Sequence, residues 1–428
     1  MSSVAPSAIN TEFVIVGGGP AGMMCAVVAA KEQRPAKIVL LEKNDQPGKK
    51  LLLAGSGRCN LTHGGPIADF FGHYGRHGQF VRPALRHFTN DDLARFFADR
   101  GLPLVELNDG KRFPKTESSR DVRRILLDAL HESGVTLRCG AAVESVEREA
   151  GGAFLLRVAN QNAAYRSQRV VLATGGKTYP ATGATGDGYR LAKSLGHTIV
   201  EPAPALTPVQ VRDYRLAECA GLSFENASVR LFRNGKRIAT AKGDLLLTHH
   251  GLSGPVILDM SRDIRPDDEI RVALIADFVD ANTFEKQWSQ DAAAFGKKSV
   301  KNLLAKYGVP ERLRVRLFEQ NGISLDLTAA ELSRETRKTL ARLLVEHPFP
   351  VARLGDENEA MATRGGVSLA EVDRNTMQSR ITPGLSFCGE VLDIDGDTGG
   401  YNLQFAFSSG KLAADAMKIV NRQSSSSP

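Results

Sequence analysis

Cysteine is scarce in this 428-residue chain and does not pair by spacing. Its five cysteines, Cys25, Cys59, Cys139, Cys219 and Cys388, are odd in number, scattered, and nowhere form C-x-x-C. This excludes a local redox dithiol and zinc-ribbon spacing, and it fits reduced thiols in the cytoplasm. Long apolar runs are missing too. The opening MSSVAPSAINTE has no basic segment followed by an apolar one, so neither a membrane span nor a signal peptide is expected. That opening and the tail Gln423–Pro428, QSSSSP, read as disordered ends. Lysine and arginine exceed the acids by seven but form no basic run. The surplus suits a small anionic ligand, and nucleic-acid binding is not expected. With 42% hydrophobic residues the composition is that of a soluble globular protein of two or three domains.

What is present begins with Phe13–Lys43, FVIVGGGPAGMMCAVVAAKEQRPAKIVLLEK. Phe13–Val16 is a short β-branched apolar run and reads as a buried strand. Gly17-Gly18-Gly19-Pro20-Ala21-Gly22 follows and satisfies G-x-G-x-x-G, then Ala21–Lys31 reads as a helix and Lys37–Leu41 as a second strand. Glu42 stands at the end of that strand, 20 residues after Gly22. A βαβ unit with an acid at that distance is the dinucleotide fingerprint. Gly17 permits the tight turn, Gly19 lets the backbone approach a pyrophosphate, and Gly22 lets helix and sheet pack closely. Helix N–H groups face the phosphates, and Glu42 accepts from ribose hydroxyls. The motif alone leaves FAD and NAD open. It occurs only once in a βαβ setting.

Lys43, Lys49 and Lys50 bring positive charge toward the phosphate end. Gly55–Asn60 is a second glycine-rich loop carrying Arg58, Cys59 and Asn60, and composition alone reads it equally as a surface loop or as a loop along the cofactor. The stretch Pro47–Thr62, PGKKLLLAGSGRCNLT, strongly resembles FAD-binding flavoproteins of the aminoacetone oxidase-like family, which also includes bile-acid dehydro-reductases. The resemblance recurs at Lys111–Val122, Leu172–Tyr189, Leu246–Leu258 and Cys388–Gly410, and covers nearly the whole chain. It implies FAD as cofactor. It also implies an adenine contact through the Val143 backbone, a second cofactor loop at Thr174-Gly175-Gly176, and a terminal strand whose Gly389-Glu390 pair reaches the ribityl or pyrophosphate region. Asp393 follows that pair. Gly400-Tyr401-Asn402-Leu403-Gln404 opens the last helix, with N–H groups toward the flavin ring.

The expected fold class is α/β, a Rossmann-like FAD-binding domain with an inserted β-rich domain and a helical subdomain. The FAD-binding domain is placed at 1–205 and 365–428, the β-rich insert at 206–280 with a return at 348–364, and the helical subdomain at 281–347. Phe80–Gly101 has helical spacing, Ser118–Glu132 is amphipathic, and Lys298–Tyr307, Glu311–Gln320 and Leu332–Glu346 read as three further helices. Asp187 is expected to cap the helix Tyr189–Leu195. The adjacent His249 and His250 read as turn chemistry rather than a metal site, and no metal is expected. Cys59 reads as a small packing residue rather than a flavin-linked or redox thiol.

The leading functional expectation is a cytoplasmic FAD-dependent oxidoreductase acting on a small molecule. Because the chain shows no second nucleotide fold, the flavin would be reduced by a substrate directly or by a transiently bound nicotinamide; the resemblance implies NAD(P)H-driven reduction of an activated C=C bond. The alternative within the resemblance is an amine oxidase producing hydrogen peroxide. An alternative of another class is a non-catalytic flavin-binding regulatory protein. Catalytic residues are not identifiable from the sequence.

Overall fold

The computed structural model describes residues 8–32, 37–159, 164–275 and 280–417. Residues 1–7 and the tail 423–428 fall outside these ranges, but residues 8–12, expected to belong to a disordered end, form the start of the first strand, where 8–11 pair with 164–167. The chain divides into two compact units, residues 1–204 with 361–428, and residues 205–360.

The first unit starts with β1 (Ala8–Val16), α1 (Pro20–Glu32) and β2 (Ile38–Leu41). Then come β3 (Thr62–His63), α2 (Gly78–His87), α3 (Asn90–Ala98), β4 (Leu104–Glu106), β5 (Lys111–Pro114) and α4 (Ser119–Glu132). They are followed by β6 (Thr136–Arg138), β7 (Val143–Arg148), β8 (Phe154–Val158), β9 (Ala164–Leu172), α5 (Asp187–Ser194) and β10 (Ile199–Ala205). The central sheet runs β6-β2-β1-β9-β8-β7. β6, β2, β1 and β9 are parallel, while β8 and β7 turn antiparallel. Val14, Ile15 and Leu40 are fully buried, as parallel strands covered on both faces require. α1 is small and apolar on nearly every side because it lies between that sheet and the last helix of the chain. The periodicity of Phe80–Gly101 resolves into two helices instead of one. Phe88 is extended, and the Thr89 and Asp92 side chains form a capping box that restarts the helix.

The second unit holds β11 (Val209–Val211), β12 (Ser223–Arg233), β13 (Lys236–Leu247), β14 (Gly251–Ser253), α6 (Pro255–Met260) and β15 (Glu269–Val272). Four helices follow, α7 (Ala281–Ala294), α8 (Val300–Ala305), α9 (Glu311–Gln320) and α10 (Arg334–Val345), then β16 (His347–Leu354). The six strands close into a barrel ordered β11-β14-β13-β12-β15-β16. β12 and β13 form one long hairpin around Asn234-Gly235, both at positive φ, the pairing a tight hairpin turn demands. Sequence patterning split β13 in two and passed over α7, whose N-cap Asp280 accepts from the Thr283 N–H. The helices share one hydrophobic core with the barrel, and Trp288 sits in it fully buried against Phe284.

β17 (Ala362–Val367) pairs with β10, β18 (Leu385–Phe387) joins the central sheet beside β9, and α11 (Tyr401–Ala416) ends the described chain. Among the described residues no helix is long and apolar enough to cross a membrane.

The barrel core carries a pH liability. His347 pairs with Val272 across β15–β16, its Nδ1 faces the Leu343 carbonyl, and burial pushes its pKa down to about 4. An unfolded chain protonates the same imidazole near its ordinary value, so the unfolded state takes up the extra proton between that value and the folded one. Stability is therefore full above about pH 6.5 and is lost as pH falls toward 4, by about 3 kcal/mol in all. Urea unfolding followed by Trp288 fluorescence should show this slope. His347→Gln should flatten it, and an equal slope in the variant would assign the loss to other groups.

Candidate functional site

The turn out of β1 is built without room for side chains. Gly17 has φ +108, and a Cβ there would lie 2.5 Å from the Ala173 carbonyl oxygen. A Cβ on Gly22 would lie 2.0 Å from the Gly17 carbonyl oxygen, so the first turn of α1 rests directly on the loop. Gly19 differs, because a Cβ there would meet nothing within 4 Å. Its backbone therefore borders open space at the N-terminus of α1, beside Pro20 and Ala21. Glu42 is buried and holds this loop: one carboxylate oxygen accepts from the Gly18 N–H at 2.7 Å, the other from the Asn44 N–H and side-chain amide at 2.8 Å. The oxygen that faces Gly18 retains a lone pair for a ribose hydroxyl, while the other already accepts two bonds.

A second cluster converges from four distant segments. Lys50 Nζ donates to Glu390 at 2.9 Å and to the Thr178 hydroxyl at 2.7 Å. Glu390 also accepts from the Thr363 N–H at 2.8 Å. A Cβ on Gly176 would meet Thr363 Oγ1 at 2.3 Å and the Glu390 carboxyl at 3.0 Å, so Thr174-Gly175-Gly176 runs tightly past this cluster. Thr174 Oγ1 and the Tyr189 hydroxyl are buried with no hydrogen-bond partner, and burial raises the Tyr189 pKa strongly. Two orphaned polar atoms beside glycine-lined backbone fit a polar ligand lying along it. Gly389 closes the group, with its missing Cβ 2.8 Å from Ala21.

The third cluster is the N-terminus of α11. Gly400 lies on the backbone of Thr62, where a Cβ would come within 2.7 Å. With its amide oriented to satisfy both partners, Asn60 accepts from the Gly400 N–H at 3.1 Å and donates to the Thr62 carbonyl at 2.9 Å. Tyr401 stacks between His63 and His73, with ring centroids 5.4 and 3.9 Å away, and its carbonyl accepts from the Tyr74 hydroxyl. The dipole and N–H groups of this helix end suit an electron-rich ring oxygen.

The structure thus gathers Gly17, Gly19, Gly22, Glu42, Lys50, Thr174–Gly176, Gly389, Glu390 and the α11 N-terminus within the first unit. Other candidates have different employment. Gln404 is fully buried. Its side-chain oxygen accepts from the Thr62 hydroxyl, its amide donates to the Phe88 carbonyl and Ser408, and its N–H bonds the Gly400 carbonyl, so it ties α11 into the core rather than facing a ligand. Asn402 folds back on the turn before it, bonding both the N–H and the carbonyl of Gly396. Leu403 is half-buried beside the first unit's core. Lys43 pairs with Asp187 and Thr185. Asp187 therefore does not cap α5, whose N-cap is Gly186 with no side-chain bond. Arg58 stacks over Phe113 and pairs with Glu117. Asp393 accepts from the Gly365 N–H and faces Arg76. Val143 pairs with Val158 at the start of β7, and its carbonyl faces Arg190. Thr178, Thr363 and Asn44 were not anticipated. Thr178 stands two residues past the ATGG turn and could have been suspected, whereas Thr363 has no local signal.

Cys59 is completely buried at positive φ, and burial pushes its thiol up to about 12. It is a packing residue with no thiolate near neutral pH. Cys139 is exposed and the other four cysteines are buried. Iodoacetamide on the native protein should label Cys139 first, with peptide mapping as the readout. Equally fast labelling of Cys59 would show that the loop opens.

The model of the family described as HI0933-like protein Rossmann domain matches residues 11–416. A 3-dehydro-bile acid delta(4,6)-reductase of Clostridium scindens is 31% identical over 409 residues, covering 94% of this chain and 98% of the relative. A ribosomal RNA dihydrouridine synthase of Escherichia coli is 31% identical over 406 residues, covering 94% and 97%. The enzyme of the same name from Haemophilus influenzae is 29% identical over 410 residues, covering 94% and 98%.

Proposed function

The chain belongs to the HI0933-like Rossmann-domain family and is an FAD-dependent oxidoreductase, and from that premise we propose that it reduces a C=C bond conjugated to a carbonyl group, using electrons from NAD(P)H. The observation that carries this reading is the likeness, end to end, to two enzymes whose names denote saturation of such bonds. A 3-oxo-4,6-diene and a uracil ring share one reactive unit, an alkene polarised by a carbonyl. The sequence supports it by carrying one dinucleotide fingerprint in a βαβ setting and no second.

FAD, when bound, supplies the hydride chemistry. The chain's own residues would hold and orient it. Gly17–Gly22 and the α1 N-terminus would take the pyrophosphate, Glu42 the ribose, and the Lys50–Glu390 cluster with Thr174–Gly176 the central portion. The α11 N-terminus, pinned by Asn60 and Thr62, would stabilise negative charge on the ring.

The test is anaerobic stopped-flow on the holoprotein. NADPH or NADH should bleach the flavin absorbance, and a 3-oxo-4-ene steroid or a uridine oligonucleotide should restore it. Bleaching by aminoacetone and not by either nicotinamide would replace this reading with amine oxidation. No bleaching by any of them would reject both.

A further inference from the structure

The second unit carries a cationic face that no run in the sequence discloses. On β12, Ala227, Val229 and Leu231 point into the barrel and are buried, so Ser228, Arg230 and Phe232 point outward. On β13, Ala239 and Ala241 lean on the core, leaving Lys236, Ile238, Thr240 and Lys242 exposed. Register then sets Thr240 beside Arg230, Arg230 beside Arg271 of β15, Ser228 beside Lys242 and, past a register shift after Leu231, Phe232 beside Arg237, while Arg233 and Lys236 pair at the tip of the hairpin. Strand pairing therefore gathers cations that lie up to 41 positions apart in the chain (271 − 230).

Carboxylates neutralise only one side of this face. Arg230 pairs with Glu346, Arg233 with Asp268 and Arg271 with Glu269. Among the described residues no ion pair involves Lys236, Arg237 or Lys242, which occupy the exposed strand of the hairpin. Glu225 and Asp244 lie at the opposite end of the hairpin from its turn. Between the cations lie two apolar surfaces. Ile238 is 48% exposed, and Phe232 is partly exposed with the Arg271 guanidinium 4.3 Å from its ring. Exposed cations alternating with a ring and an aliphatic side chain on a barrel face suit a chain of phosphates carrying flat bases.

We infer that the outward face of β12, β13 and β15, together with the tip of the β12–β13 hairpin, binds single-stranded RNA through its phosphates, with Arg237 and Lys242 on the face and Lys236 at the tip as the principal contacts. This deepens the proposed reduction by naming a polynucleotide as the carrier of the reducible ring, and it rests on that reading only for the chemistry at the flavin. Binding is measured without turnover, so the two fail separately.

The experiment is fluorescence anisotropy of the holoprotein with a fluorescein-labelled oligouridine of about 20 nucleotides, longer than one stacking site, titrated across about 50 to 200 mM salt. The expected result is salt-sensitive binding that weakens tenfold or more in the triple variant K236Q/R237Q/K242Q. The slope of log affinity against log salt should fall by about 2, three phosphate contacts at roughly 0.7 each. Flavin content and the NADPH bleaching rate should match the unmodified protein, which shows that the variant folds. Unchanged affinity and slope in the variant would overturn the inference. So would absence of RNA binding at the lowest salt, or loss of binding to anionic lipid vesicles with RNA binding intact.

Discussion

Gly22→Ala should yield a nearly colourless protein whose inserted barrel remains folded. The added methyl would sit 2.0 Å from the Gly17 carbonyl oxygen. The carbonyl is backbone and a Cβ is placed by the backbone alone, so no side-chain rotation relieves the clash. Overpacking of this kind costs about 3 kcal/mol. Alanine recovers about 1 kcal/mol through its better helix propensity, so strain wins by about 2 kcal/mol. That difference corresponds to roughly a thirtyfold loss of FAD affinity, because the empty loop can relax and the occupied one cannot. Gly19→Ala makes the sharper comparison. Its methyl meets nothing in the protein, so thermal stability of the apoprotein should not change, while affinity should fall if the proposed pyrophosphate site occupies the open space the methyl enters. Equilibrium titration of both apoproteins with FAD, alongside calorimetry, reads the two effects. Normal FAD affinity in Gly19→Ala would move the pyrophosphate away from this turn.

Trp288→Ala should cost the second unit about 4 kcal/mol, the usual price of deleting a large buried aromatic. The indole is completely buried and stacks with Phe284 at 5.7 Å, and its unpartnered N–H means that no hydrogen bond is lost on top of the cavity. Hydrogen exchange should localise the loss. Amides of β12, β13 and α10 should lose roughly a thousandfold protection, while β1, β2 and β9 keep theirs, because the two units have separate hydrophobic clusters. Trp288→Phe should recover most of the protection. A uniform loss across both units would mean that they unfold as one.

The parts that were legible in the sequence share one property, locality. The βαβ unit could be read because strand, glycine turn, helix and acid fall within about thirty residues and each has its own chemical signature. The β character of the insert was readable strand by strand. Its closure into a barrel was not, since that depends on β16 meeting β11 across 140 positions (351 − 211) and β15 across 75 (347 − 272). Gln404 shows the same limit within the candidate site. Its place in the first turn of α11 suggested a ligand-facing role, yet Thr62 and Phe88, the residues that consume its amide, lie 342 and 316 positions away. Asp187 was misassigned because a cap is the local explanation for an acid at a helix start, and the competing cation, Lys43, is 144 residues distant. The basic face of the barrel escaped notice for the same reason, since strand register and not sequence order assembles it.

The pairing of β18 with β9 has a consequence for how the molecule comes together. Val170 meets Leu385, so the last strand of the cofactor sheet closes a loop of about 215 residues. The barrel unit accounts for 156 of them, residues 205–360. Once that unit has collapsed on its own core, the freely jointed length left to close is only about 60 residues, which lowers the entropic barrier by about 1 kcal/mol. Synthesis from the N-terminus reinforces the same sequence of events, because the barrel is complete before β18 leaves the ribosome. The insertion therefore acts on its host first as a tether shortened in time, and the central sheet is finished last, by residues that arrive after everything they must join.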